Sequence, residues 1–259
     1  MNLLLVRRLG RWGIDRSQSF TRMFHILCQA CAAAMRLSFF KPAVALVLVR
    51  QIYFTAVQPL SIIFVASLIM GSVTVHYLLQ LLLGLGAYEQ IGAFLIRVML
   101  HEIAPITCSL IILLRSGTAV LTEVALMKIN GEIDTLHSLN IAMDDYVFMP
   151  RVMAFALAGP CLSICFCMIA LLGGFMTLGY WHDITFANYK DRLFNALEIK
   201  DLIILITKSM VMSVAACLVA LQRGFSVNRA FTEVPIRLIQ GMMQAITLLI
   251  AVEILFIIF

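Results

Sequence analysis

Arg97, His101 and Glu102 stand in an otherwise apolar run, residues 93–114, and Pro105 follows them in the same run. A guanidinium, an imidazole and a carboxylate can hold an anionic headgroup, relay a proton, or simply pair with one another. Arg97 and His101 are four residues apart on one helix face, and Glu102 lies close enough around the turn to neutralise Arg97. Pro105 adds another polar group, because it has no N–H to offer the carbonyl of His101. Lys208 is a second isolated cation, set in Ile206-Thr207-Lys208-Ser209 within residues 202–222. It either snorkels to a headgroup layer or turns inward toward the Glu102 stripe, where the pair would mark a substrate path. The competing reading of the whole set is an ion pair that only fixes helix packing.

The elements that carry these groups are membrane helices. Of 259 residues, 62% are hydrophobic and 13% charged, against roughly 45–50% apolar in a soluble domain. Stretches long enough to cross a hydrocarbon core of ~30 Å at 1.5 Å per residue lie at 59–83, 93–114, 151–178, 202–222 and 238–259. In the second of these, two central charges cost about 5–7 kcal/mol while its aliphatic residues return only about 4–7 kcal/mol. Such a helix must turn its polar stripe toward protein or a wet cavity.

Lys and Arg set the expected orientation. Segments 1–58, 115–151 and 223–237 carry fourteen between them, and the 84–92 and 179–201 connections carry three. This places the N-terminus in the cytoplasm and, after five spans, the C-terminus on the far side. The first 58 residues are amphipathic, with Arg7, Arg8, Arg11, Arg16, Arg22 and Arg36 among apolar residues, and suit helices in the headgroup layer. A second apolar stretch between Pro42 and Pro59, with Arg50 and Gln51 at its centre, reads as an interfacial or steeply inclined helix; a sixth span at 43–64 is the alternative. A cleaved leader is not expected, since arginines recur as far as Arg50.

The net charge of +5 is dispersed through apolar segments, so a nucleic-acid partner is not expected. Seven cysteines, mostly within apolar runs, read as small packing residues. Cys28 and Cys31 have redox or metal spacing but no second ligand pair, so no metal site is expected. The fifteen methionines read as packing material. No glycine-rich phosphate loop occurs, so ATP and its Mg²⁺ belong to a partner chain.

Between the second and third spans, Glu123, Met127, Lys128, Glu132 and Leu136 lie in a segment whose apolar and acidic positions alternate at helical spacing. It is too polar for the bilayer and too apolar for water, so a partner protein is expected to cover it; a helix resting on headgroups is the alternative.

This segment resembles the signature of the MlaE-type permease family of bacterial phospholipid ABC transporters. The match runs through Glu102 and Pro105, Arg115 and Gly117, then Glu123, Met127, Glu132 and Leu136, to Pro150-Arg151. Upstream, Val49-Arg50-Gln51-Ile52-Tyr53 and Gly71 fit the family's interfacial helix and first span, and Lys208-Ser209 and Gly224-Phe225 fit more loosely downstream. The resemblance implies two copies around a lipid cavity, two cytoplasmic ATPases gripping the Glu123 to Leu136 segment, and periplasmic MCE-domain proteins. Three departures stand out: His101 replaces a common Arg, Ile133 follows Glu132 where Gln is usual, and Ser226 to Pro235 lacks the usual glycines.

The expected fold is an all-α polytopic membrane protein of one domain, 1–259. It has an amphipathic region at 1–58, five transmembrane helices, and a coupling helix near 117–140. Arg97, His101, Glu102, Lys208, Arg50 and Gln51 form the expected lipid-cavity set. Glu123, Met127, Lys128, Glu132 and Leu136 form the ATPase-coupling set. The expected role is a non-enzymatic permease subunit in a bacterial inner membrane, partnered by a second copy, an ATPase, an MCE-domain protein and phospholipid. A proton-coupled secondary transporter and a non-transporting scaffold are the rivals.

Overall fold

The computed structural model describes residues 21–36, 42–86, 90–181, 186–227 and 230–258. Arg7, Arg8, Arg11 and Arg16 of the expected interfacial region lie outside the described residues. Among the described residues every regular element is a helix: α1 (21–35), α2 (Pro42–Ile52), α3 (Leu60–Gly84), α4 (Ile91–Ile96), α5 (Ala104–Ile112), α6 (Thr118–Ile129), α7 (Glu132–Ser138), α8 (Met149–Trp181), α9 (Phe186–Ala196), α10 (Ile199–Phe225) and α11 (Glu233–Ile258). Five helical runs are long and apolar enough to span: Val44–Leu82, Ile91–Ile129, Asp144–Met176, Ile199–Phe225 and Glu233–Ile258.

Two of these runs are longer than the hydropathy pattern suggests. Val44–Leu82 has 39 residues and reaches about 58 Å, far beyond a ~30 Å hydrocarbon core. The stretch with Arg50 and Gln51 is therefore continuous with the first span, and no separate sixth span forms among the described residues. Likewise the second run continues to Ile129, so α6 is continuous with the second span and α7 follows it.

Prolines explain how these runs stay helical. A proline removes one N–H and its ring presses on the carbonyl four residues earlier. π-helical stretches at Tyr53–Val57, Arg97–Ile103 and Asp144–Phe148 lie just before Pro59, Pro105 and Pro150. In each case the carbonyl at risk, that of Thr55, His101 or Tyr146, sits inside the widened turn. The wider i→i+5 register absorbs the clash, as where Gln58 N–H donates to Tyr53 O at 3.2 Å.

The described structure has two compact units: 1–51, 117–153 and 217–245 in the first, and 52–116, 154–216 and 246–259 in the second. Every span contributes residues to both. In the first unit α1 is amphipathic, burying Met23, Ile26, Ala30 and Ala33 at helical spacing. Ala33 packs in a cluster with Val44 and Met149, and the rings of Phe148 and Phe225 meet edge to face at 5.3 Å. In the second unit Val75, Leu79, Leu82, Ile91, Leu95 and Tyr189 form one core.

Close approach in the second unit depends on Gly71, where a Cβ would collide with the backbone of Ala170 in α8. Gly71→Leu is expected to force these helices apart at a cost of about 1–3 kcal/mol. Earlier thermal unfolding of the purified variant in detergent checks this, and an unchanged midpoint refutes the contact.

Candidate functional site

Lys208 is the organising group. It is 2% exposed, and a buried ammonium costs several kcal/mol unless acceptors surround it. Three acceptors do. Its Nζ donates to the carbonyl of His101 at 2.5 Å, to Glu253 Oε1 at 2.6 Å and to Glu102 Oε2 at 3.4 Å. An ammonium has three protons to give, so its donor capacity is matched. The His101 carbonyl is the one that Pro105 leaves without a helical donor, so the proline and the lysine are two halves of one arrangement. Lys208 faces the Glu102 stripe and does not snorkel outward.

Glu253, the nearest carboxylate to Lys208, was not singled out from sequence. The available signal was its position as an isolated acid in the last span, the rule that drew attention to Glu102. Its Oε2 is buried and finds no donor among the described residues. Glu102 is more open, with its side chain 42% exposed against 11% for Glu253.

His101 does not pair along its own helix. Its Nε2 lies 2.9 Å from Asp201 Oδ1, and Asp201 Oδ2 accepts the backbone N–H of Glu198 at 3.0 Å. Asp201 sits in the first turn of α10, where a carboxylate caps orphan N–H groups.

The expected neutralisation of Arg97 by Glu102 does not occur. Arg97 is exposed, and the carboxylate pairs with Lys208. The physical reason is burial: Lys208 is enclosed by protein and must be paired, whereas Arg97 is not enclosed. Arg50 is exposed and Gln51 half-buried at the end of α2, in the first unit. The lysine cluster belongs wholly to the second. That unit also holds an apolar cavity of about 280 Å³, with Leu100, Ile164, Met168, Leu172 and Leu193 among its walls.

The coupling set divides. Glu123 Oε1 meets Arg151 Nη2 at 2.9 Å, and Arg151, 3% exposed, also donates to Val147 O at 2.9 Å. Met127 Sδ is 4.0 Å from the same guanidinium, and Lys128 Nζ donates to Phe225 O at 2.5 Å. These three residues tie α6 to the first unit's own helices. Asn130 and Gly131 then break the helix, Gly131 taking φ +74°, a left-handed turn that favours glycine. Beyond it Glu132 is exposed, Leu136 half-buried, and α7 buries none of its residues. Among the coupling set, α7 is thus the part left open to a partner.

The chain is similar to several known proteins. A probable ABC transporter permease protein of Pyropia yezoensis is 28% identical over 181 residues, covering 70% of this chain and 69% of the relative. One from Rickettsia typhi is 25% identical over 189 residues, 73% of each chain. The intermembrane phospholipid transport system permease protein MlaE of Haemophilus influenzae is 26% identical over 179 residues, 69% of each. A family model described as Permease MlaE matches residues 48–259, a range that contains Glu102, Lys208 and Glu253, and so this multi-pass α-helical chain belongs to the MlaE permease family.

Proposed function

We propose that the chain is the membrane subunit of an ABC transporter that moves phospholipid between a bacterial inner membrane and a periplasmic MCE-domain assembly. The observation that carries this reading is Lys208, buried among spans and held by Glu253, Glu102 and a carbonyl freed by proline. An ion cluster at that depth has a cost that plain packing does not justify. A phosphate can compete with the two carboxylates for the ammonium, and the unpartnered Oε2 of Glu253 can accept a hydrogen bond from a headgroup that enters the cluster. The surrounding aliphatic residues suit acyl chains.

On this reading two copies enclose the lipid, the N-terminus and α6–α7 face the cytoplasm, and the C-terminus faces the periplasm, in line with the excess of Lys and Arg. A separate ATPase binds and hydrolyses ATP with its Mg²⁺. It docks on the open α7 surface and, through the helix that continues from the second span into α6, biases open against closed cavities. Arg97 and His101 would line the headgroup path, and Arg50 and Gln51 would meet lipid headgroups separately in the first unit.

Glu102→Gln tests the assignment. Its side chain is part-exposed and Glu253 remains to hold Lys208, so the fold should persist. Lipid transfer in proteoliposomes containing the ATPase is expected to fall about tenfold, because Lys208, with one competing carboxylate gone, holds a phosphate too tightly to release it, while ATPase co-purification is unchanged. Full transfer would remove Glu102 from the path. Transfer that persists with a catalytically dead ATPase and follows a proton gradient would instead favour secondary transport through the lysine cluster.

A further inference from the structure

A second cavity lies within the first unit, with a volume of about 500 Å³. Arg22, His25 and Gln29 of α1 line it on one side, and Phe148, Gln222, Phe225 and Ser226 line it on the other. The spacing of Arg22, His25 and Gln29 puts them on a single helical face. Arg22 and His25 are exposed, and among the described residues neither forms an ion pair. Other basic groups of this unit are engaged: Lys128 with Phe225 O, Arg151 with Glu123, and Arg223 with Gln244 at 2.6 Å.

The opposite wall supplies an independent sign of a ligand. Gln222 is only 8% exposed, yet its Oε1 has no partner among the described residues. A buried carboxamide oxygen left unsatisfied is destabilising, so a hydrogen-bond donor from outside the protein would be favoured there. The cavity therefore combines cations for an anion, an acceptor for a donor, and two aromatic rings beside them. Few small ligands match all three.

We infer that this cavity binds the headgroup of a phospholipid that carries its own hydrogen-bond donor, a glycerol hydroxyl or an ethanolamine ammonium. The phosphate meets Arg22 and His25, the donor meets Gln222, and the first acyl carbons lie along Ile26, Phe148 and Phe225. A lipid is favoured over a soluble phosphate because α1 exposes Phe24 (67%) and Met35 (78%), apolar surface that belongs at an acyl boundary. Such a lipid is a retained one that fastens α1 to the spans. It is not the cargo of the lysine cluster, and the site stands whether or not that cargo is phospholipid.

Native mass spectrometry of the full-length chain tests this, with phosphatidylglycerol, phosphatidylethanolamine and phosphatidylcholine of identical acyl chains as probes. The choline headgroup has no donor, so the first two are expected to be retained about tenfold better. Arg22→Gln combined with His25→Gln, on an exposed helix face that tolerates substitution, is expected to lose one bound lipid. Gln222→Leu is expected to abolish the preference over choline while the lipid is still bound. Equal retention of all three lipids by the unmodified chain, or an unchanged lipid count in the Arg22/His25 variant, would overturn the inference. So would glycerol phosphate competing as well as the intact lipid, since that would assign the cavity to a soluble ligand.

Discussion

Lys208→Met is expected to abolish lipid transfer and to lower the stability of the detergent-solubilised protein by about 3–5 kcal/mol, the effect of breaking a buried ion pair by removing one partner. The loss arises less from the missing bond than from what remains. Glu253, with its side chain 11% exposed, is left with a charge and no counter-ion, and the His101 carbonyl again has no donor. The double variant Lys208→Met with Glu253→Gln removes both charges together. It is expected to recover most of the thermal stability, because a neutral pair of similar volume does not need solvation that the spans cannot provide. Transfer should stay absent in the double variant, since no ammonium remains to meet a phosphate. A double variant that is both stable and active would reduce the cluster to packing and remove it from the lipid path.

Glu132→Lys is expected to separate transport from ATP hydrolysis. Glu132 opens α7 and is exposed, and no residue of α7 is buried, so reversing its charge leaves the fold unchanged within about 0.5 kcal/mol. If α7 docks on the ATPase, reversal places a like charge or an unpaired one in that interface, where such changes cost 2–5 kcal/mol or more. ATPase co-purification should fall about thirtyfold or further, and lipid transfer should fall with it. Charge reversal at Glu123 would be a poorer test, because that residue is paired with the buried Arg151 within this chain and its loss would perturb the unit itself. Unchanged co-purification and transfer in Glu132→Lys would move the docking surface away from α7.

The sequence alone determined that this chain spans a membrane five times and that His101, Glu102, Pro105 and Lys208 interrupt the apolar pattern in a way hydrocarbon does not tolerate. Both follow from local quantities, hydropathy along the chain and the missing N–H of a proline, and need no knowledge of neighbours. The continuity of the first helix through Pro59 and of the second into α6 was hidden, because a π-helical stretch preserves the hydrogen-bond ladder where composition suggests a break. Which groups pair was decided only by tertiary structure. Glu253 is 45 residues from Lys208 and Asp201 is 100 from His101, and the rotation of each helix about its axis selects these partners. The same packing left Arg97 exposed and enclosed Lys208, so a carboxylate that could have served either cation was taken by the buried one.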